Sequence, residues 1–310
     1  MKSEVIHTTN GRGHSCVLHY MRIAILVCVW LVTFSSPCFS QQITEDHCGI
    51  CKGKRHLEGS PYRFDLKGEI PFIAASAVSL GAGFVAQGFN NTQPYTAEEL
   101  ETLDIQSINA FDRNAVYNSS EAAKQASDIM IASLTIFPIL LVSEHHTKQD
   151  LGPLLAMSLE TMAVTFGLTN LIKNTVNRTR PNVYNPDTPF DERTSSTSRQ
   201  SFISGHTSHA AAASFFMAKV ISDYHPDMTT GAKIALWSVS AYIPALTGYF
   251  RVKAGKHFTT DVMAGYAVGA FTGWLIPHLH KKKADSMLGK LNLQLYPSTA
   301  GMQFSLRVGL

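Results

Sequence analysis

Three short polar clusters interrupt an otherwise apolar sequence, and each contains residue types that take part in catalysis. The first offers two cations, the second a small polar turn followed by a histidine, and the third a cation, a histidine and a carboxylate. The residues concerned are Lys173 and Arg180, then Ser204, Gly205 and His206, then Arg251, His257 and Asp261. Cations beside two histidines are suited to chemistry on an anionic group, above all to phosphoryl transfer.

The second cluster predicts an anion site at the start of a helix. Ser204 and Gly205 precede an alanine-rich stretch, which is the pattern of a helix N-cap, and the unpaired backbone N–H groups of a helix N-terminus attract anions. His206 then lies in the first turn, where it faces the bound anion. The planar guanidinium groups of Arg180 and Arg251 are suited to binding phosphate oxygens through paired hydrogen bonds.

The third cluster predicts a nucleophile. His257 and Asp261 are four residues apart, so their side chains meet on one face if this stretch is helical. A carboxylate that holds one ring nitrogen leaves the other nitrogen free to attack. We therefore expect His257 to attack phosphorus and His206 to protonate the departing oxygen and later to activate water. The sequence places no carboxylate cluster suited to magnesium, so this chemistry requires no metal and no other cofactor.

The clusters lie at the ends of apolar stretches, each of which is long enough for a helix. Strand-like alternation is absent from these stretches. They cover residues 70–90, 125–144, 154–172, 207–222, 233–250 and 261–279. The sequence therefore predicts an all-α domain of six helices, and alternating leucines near the C-terminus predict a short β-hairpin after it.

The spacing Lys-x6-Arg-Pro, then Ser-Gly-His, then Arg-x5-His-x3-Asp resembles the type 2 phosphatidic acid phosphatase and vanadium haloperoxidase superfamily over about residues 70–280. The resemblance implies a six-helix bundle of the acid phosphatase/haloperoxidase type and a phosphohistidine intermediate. It implies catalytic roles for His257, His206 and Asp261. It also implies phosphate binding by Lys173, Arg180, Ser204, Gly205 and Arg251.

Two positions depart from the usual pattern of that superfamily. Ile203 stands where proline is usual, and Phe250 stands where serine is usual. Neither side chain carries a proton or a charge in this chemistry. We expect the differences to change loop rigidity or substrate fit.

The N-terminal part of the chain predicts export. From Met21 a short basic start precedes an apolar run at 23–34 and small residues up to Ser40, which is the pattern of a secretory signal peptide, with an uncleaved anchor helix as the alternative. Cys48 and Cys51 form a CxxC, for which a structural or incidental role is expected.

We divide the chain into an N-terminal extension with signal peptide (1–40), a polar linker with the CxxC (41–69), a helical phosphatase domain (70–283) and a C-terminal tail (284–310).

Composition limits the classes of function and leaves the location open. The net charge is only +3 and no basic stripe interleaved with aromatics is present, which excludes nucleic acid as a partner. A charged fraction of 16% and the apolar stretches favour an enzyme of the bacterial inner membrane whose site faces the periplasm. A mean hydropathy of +0.02 and the signal peptide favour a soluble periplasmic protein instead.

The expected function is hydrolysis of a phosphomonoester or a diphosphate. The leading substrate is a phosphorylated lipid such as phosphatidate or a polyprenyl diphosphate, and a small phosphate ester is the substrate if the protein is a soluble acid phosphatase. A vanadium haloperoxidase is less favoured, because the short chain lacks an extended halide-binding region. A catalytically silent phosphate-binding protein is disfavoured by the full set of proton carriers.

Two further features lie outside the clusters. Glu160 is an unusual charge within an apolar stretch and would need a partner inside the bundle if the helix spans a membrane. His278 and His280 precede Lys281–Lys283, and this segment is expected to form a solvated or headgroup-facing end.

Overall fold

The computed structural model describes residues 60–64, 66–140, 150–281, 291–298 and 301–308. The predicted signal peptide, the CxxC and most of the polar linker lie outside the described residues. The α-helices are, in chain order, α1 (Leu66–Phe89), α2 (Ala97–Glu101), α3 (Glu121–Leu140), α4 (Leu151–Val176), α5 (Pro181–Tyr184), α6 (Phe190–Arg193), α7 (Gly205–Tyr224), α8 (Thr230–Lys253) and α9 (Thr259–His280).

The long helices match the predicted apolar stretches, which confirms the all-α domain. These helices are α1, α3, α4, α7, α8 and α9. Two 3-10 helices, Ile105–Ser107 and Arg113–Tyr117, lie between α2 and α3. After α9, strands β1 (Leu291–Ser298) and β2 (Gly301–Val308) run antiparallel to each other. The division of the chain into four segments stays a prediction.

Helix α7 forms the centre of the bundle. Its residues 210–213 are all alanine and are buried, and such small side chains let neighbouring helices approach from several sides. One apolar cluster joins α7 to α3 and α8, and it includes Met130, Ile243 and Phe250. A second joins α7 to α4 and α9 through Met157 and Phe216. Phe250, one of the departures from the usual motif, is therefore a core residue.

Glycines bring α9 into direct contact with α7. A Cβ atom added at Gly265 would lie 2.5 Å from the carbonyl oxygen of Ser204, and one at Gly269 would lie 1.9 Å from that of Ser208. Only glycine permits this approach of two helix backbones. The contact also brings the two helix starts together, because the Ser204 amide donates a 3.0 Å hydrogen bond to the Asp261 carbonyl.

Among the described residues, three helical segments are long and apolar enough to cross a membrane, judged by length and composition. They are Gly68–Phe89, Leu151–Tyr184 and Thr259–His280. Helix α1 also exposes large apolar side chains, among them Val78 (72% exposed) and Phe89 (80% exposed). An exposed apolar face of this extent suits lipid better than water. The described helices therefore support the predicted association with a membrane.

Candidate active site

The three predicted clusters meet at one end of the bundle, where α4 and α8 end and α7 and α9 begin. Lys173 lies in the last turn of α4, and Arg251 lies in the last turn of α8. A Cβ atom added at Gly205 would lie 3.7 Å from Cε of Lys173, so the lysine side chain covers the start of α7. The helix order thus gathers residues that are up to 88 positions apart, from Lys173 to Asp261.

The start of α7 has the N-cap that the sequence predicts. Ser204 is fully buried, and its Oγ accepts a hydrogen bond from the Thr207 amide at 3.4 Å. Gly205 and His206 form the first turn beyond this cap. The positive end of the helix dipole is therefore directed at the place where the cations converge, which favours an anion there. Ile203, the second departure from the usual motif, is buried directly before the cap.

His257 lies between α8 and α9 and is only 1% exposed. Its Nδ1 is 2.8 Å from the carbonyl oxygen of Ser201, so we assign the proton to Nδ1, and Nε2 then carries a free lone pair. Burial, and after it the positive charges of Lys173, Arg251 and Arg180, hold the pKa of His257 well below its usual range. The imidazole is therefore neutral at pH 7, which is the state that a nucleophile needs.

Asp261 lies near His257 but does not hold it in the predicted way. Its Oδ2 is 3.8 Å from Nδ1 of His257, which is too long for a hydrogen bond. That oxygen instead accepts hydrogen bonds from the Phe258 amide at 2.8 Å and from the Ser201 hydroxyl. The reason is its place in the first turn of α9, where a carboxylate caps the helix. Asp261 therefore acts on the Ser201 segment, whose carbonyl in turn contacts the histidine.

An ion-pair network that the sequence did not reveal supports this loop. Arg178 binds Oδ1 of Asp261 and Oδ2 of Asp112, the latter at 2.8 Å, and both carboxylates are fully buried. Its guanidinium group also lies 4.2 Å from the centre of the Phe258 ring. Asp112 accepts a 3.0 Å hydrogen bond from the Thr260 amide at the start of α9. Arg178 belongs to the first polar cluster, but no local pattern connects it with Asp112.

A second residue that sequence reasoning missed is Asp128 of α3. Its Oδ1 lies 2.9 Å from Nε2 of His206 and 3.2 Å from Nη1 of Arg251. Burial and the charge of Arg251 lower the pKa of His206 to about 4, and Asp128 opposes that shift. The available signal was a charged residue at the edge of an apolar stretch, which marks a side chain with a partner inside the bundle.

The arginines present unpaired donors at this site. The Nε atoms of Arg180 and Arg251 are buried, and neither has a hydrogen-bond partner among the described residues. A buried guanidinium N–H without a partner is costly unless an anion binds it. Within the described part of the chain, Lys173 donates one hydrogen bond, which is long at 3.4 Å, to the Gln200 carbonyl. The predicted phosphate-binding cations thus lie at one site, and they have N–H donors that are available to an anion.

A polar cavity of about 210 Å³ opens beside this site. Its walls carry side-chain amides and one cation, supplied by Asn90, Asn174, Asn177, Arg199 and Gln200 among others. Asn174 and Gln200 are direct chain neighbours of Lys173 and Ser201. Their amides are hydrogen-bonded to one another, with Gln200 donating to Asn174 at 3.1 Å. The cavity therefore offers polar groups next to the cations.

Comparison with known proteins gives one family and one solved structure. The family model of the PAP2 superfamily matches residues 154–285, which contain all the predicted site residues. No curated protein matches the chain significantly. A transmembrane PAP2-type phosphatidylglycerolphosphate phosphatase from Bacillus subtilis is 19% identical, with a TM-score of 0.38, over 68% of this chain and 92% of that chain. Residues 154–285 are therefore similar to the PAP2 superfamily, which supports the predicted family and the predicted class of phosphatase.

Proposed function

We propose that this phosphatase hydrolyses a phosphorylated lipid, either a phosphomonoester such as phosphatidate or a polyprenyl diphosphate, through a phosphohistidine at His257. The observation that carries the proposal is the pair of buried, unpaired guanidinium Nε groups of Arg180 and Arg251 beside a buried neutral histidine. Such donors favour an anion with several oxygens. The neutral imidazole supplies the nucleophile for it.

The reaction proceeds in two steps. In the first, Nε2 of His257 forms a bond to phosphorus while the bond from phosphorus to the leaving oxygen breaks, and protonated His206 gives its proton to that oxygen. In the second, His206 takes a proton from water, and the water oxygen forms a bond to phosphorus while the bond from phosphorus to Nε2 of His257 breaks, which releases phosphate and restores the neutral imidazole. Lys173, Arg180 and Arg251, with the N-terminus of α7, stabilise the charge on the equatorial oxygens in both steps.

The apolar surface and the polar cavity together support a lipid substrate. The exposed apolar face of α1 and the three long apolar helices suit a protein whose substrate arrives from a bilayer. The amide-lined cavity beside Lys173 suits a polar headgroup rather than an acyl chain.

We place the protein in the cell envelope, in the inner membrane with the site facing the periplasm.

The proposal is tested by phosphate release in EDTA from phosphatidate, a polyprenyl diphosphate and a soluble aryl phosphate. The wild type, His257→Ala and the control His278→Gln, a histidine stacked on Trp274 near the end of α9, are compared. We expect the wild type and the control to be active and His257→Ala to lose at least about 10³-fold in kcat. Activity retained by His257→Ala would refute the nucleophile, and preference for the aryl phosphate would refute the lipid substrate.

A further inference from the structure

Three buried ionisable side chains meet at the other end of the bundle, away from His257. Nε2 of His280 lies 3.2 Å from Oε2 of Glu69 and 3.3 Å from Oε2 of Glu160. Each residue is less than 8% exposed, and their three ligand-type atoms lie within 4.8 Å of one another. Glu69, Glu160 and His280 come from α1, α4 and α9, so each of the three candidate membrane segments supplies one group.

The burial of His280 contradicts the prediction of a solvated end for this part of the chain. The ring of Phe72 on α1 lies 4.0 Å from the His280 ring, centre to centre, and covers it. The amide of Arg63 donates a 2.8 Å hydrogen bond to the His280 carbonyl. The end of α9 is therefore enclosed by the segment at 60–64 and by α1. No local sequence pattern predicts this contact.

A single proton on His280 cannot satisfy both carboxylates. Nδ1 of His280 is 2.8 Å from the Ile276 carbonyl oxygen and donates its proton there, so Nε2 is the nitrogen that faces Glu69 and Glu160. A proton on Nε2 can be donated to one carboxylate, and the geometry directs it to Glu69. Oε2 of Glu160 accepts no hydrogen bond from the described residues, although it is buried. A buried carboxylate oxygen that accepts no hydrogen bond is costly, so this oxygen of Glu160 is suited to binding a cation.

The distances also suit ligands around a metal ion. Hydrogen bonds between a charged imidazole and a carboxylate are usually about 2.7–2.9 Å long. Two ligand atoms of a tetrahedral zinc ion, each bound at about 2.0–2.2 Å, lie about 3.4 Å apart. The 3.2 and 3.3 Å separations at His280 are close to the second value. A metal-binding histidine also typically donates its other N–H to a backbone carbonyl, as His280 does to Ile276.

We propose that Glu69, Glu160 and His280 bind one divalent metal ion, Zn²⁺, which joins α1, α4 and α9. Two carboxylates and a neutral imidazole balance the charge of the ion and leave its fourth position to water. Asp261 and His280 are 19 residues apart on α9, which is about 28 Å at 1.5 Å per residue. The ion is therefore structural and takes no part in phosphoryl transfer.

The test measures zinc bound to the full chain, purified in detergent without a histidine tag. All proteins carry Cys48→Ser and Cys51→Ser, because the CxxC is itself a potential zinc ligand. After removal of metal with EDTA, the protein is loaded with Zn²⁺ and desalted. The amount of zinc per chain is then measured by mass spectrometry. We expect about one ion per chain in this background and in the matched control His278→Gln. We expect at least about tenfold weaker binding in Glu160→Gln.

Two results would overturn the metal site: a background protein that retains no stoichiometric zinc, or a Glu160→Gln protein that retains as much as the background. If Glu160→Gln does not fold, zinc-edge X-ray absorption on the loaded background protein decides instead. One imidazole nitrogen with oxygen ligands at about 2.0–2.2 Å is expected there, and a shell without imidazole would refute the site. A positive result leaves the phosphatase proposal independent, since the two sites lie at opposite ends of α9.

Discussion

Nε2 of His206 lies 2.9 Å from Oδ1 of Asp128, and the same carboxylate oxygen lies 3.2 Å from the guanidinium group of Arg251. One side chain of α3 thus contacts both the proposed acid and one of the proposed phosphate ligands. Because the negative charge of Asp128 raises the pKa of His206 against burial and Arg251, the aspartate sets how readily the histidine holds its proton.

We expect Asp128→Asn to move the pH dependence of activity. Loss of the negative charge lowers the pKa of His206 from about 4 to a smaller value. His206 therefore loses its proton at a lower pH. The alkaline side of the kcat/KM profile should therefore shift by about one unit toward acid. Glu121→Gln on the same helix, where Glu121 pairs with Lys124 at the surface, is the control and should leave the profile in place.

Asp261→Asn distinguishes an indirect from a direct contact with the nucleophile. Replacing an aspartate that directly holds a catalytic histidine lowers kcat by about 10⁴-fold in the serine-protease triad. Here the Ser201 carbonyl fixes the tautomer of His257, and Asp261 acts through Ser201 and Phe258. We therefore expect a loss of about 10- to 100-fold in kcat with KM nearly unchanged. A loss near 10⁴-fold would show that the carboxylate contacts His257 during turnover.

Arg178→Ala should destabilise the protein strongly. The substitution leaves Asp112 and Asp261 buried without their shared cation, and breaking a buried ion pair costs about 3–5 kcal/mol. The midpoint of thermal unfolding in detergent measures the effect, with Arg199→Ala as the control, because Arg199 pairs with an exposed glutamate. Equal midpoints for the two variants would mean that the Arg178 network contributes no more than a surface ion pair.

Gly269→Ala tests the close contact between α7 and α9. The new Cβ would lie 1.9 Å from the Ser208 carbonyl, so the helices must separate, and the starts of both helices that carry the site move with them. We expect the free energy of unfolding to fall by about 1–3 kcal/mol, which is seen as a lower unfolding midpoint, together with a loss of kcat. The control is Gly81→Ala in α1, where nothing lies within 4 Å of the added atom and a small gain in stability is expected. Equal behaviour of the two variants would contradict the packing.

Local sequence patterns were enough to predict the long helices and the main chemical groups. Long apolar stretches with polar ends predict helices because hydrophobic residues must be buried or face lipid, and this signal is local in the chain. The helix cap at Ser204 follows from a few adjacent residues for the same reason. Histidine and arginine in motifs of this spacing also predicted the family to which residues 154–285 are similar.

Which of these groups contact one another depends on how the helices pack. Asp128 meets His206 from 78 residues away, and Glu69 meets His280 from 211 residues away, so no pattern of neighbouring residues predicts either contact. The expected hydrogen bond between His257 and Asp261 is absent, because the carboxylate caps α9. The Ser201 carbonyl accepts the hydrogen bond from the imidazole instead. Hydrogen bonds and ion pairs depend on distances of a few tenths of an ångström, and the packing of whole helices sets those distances.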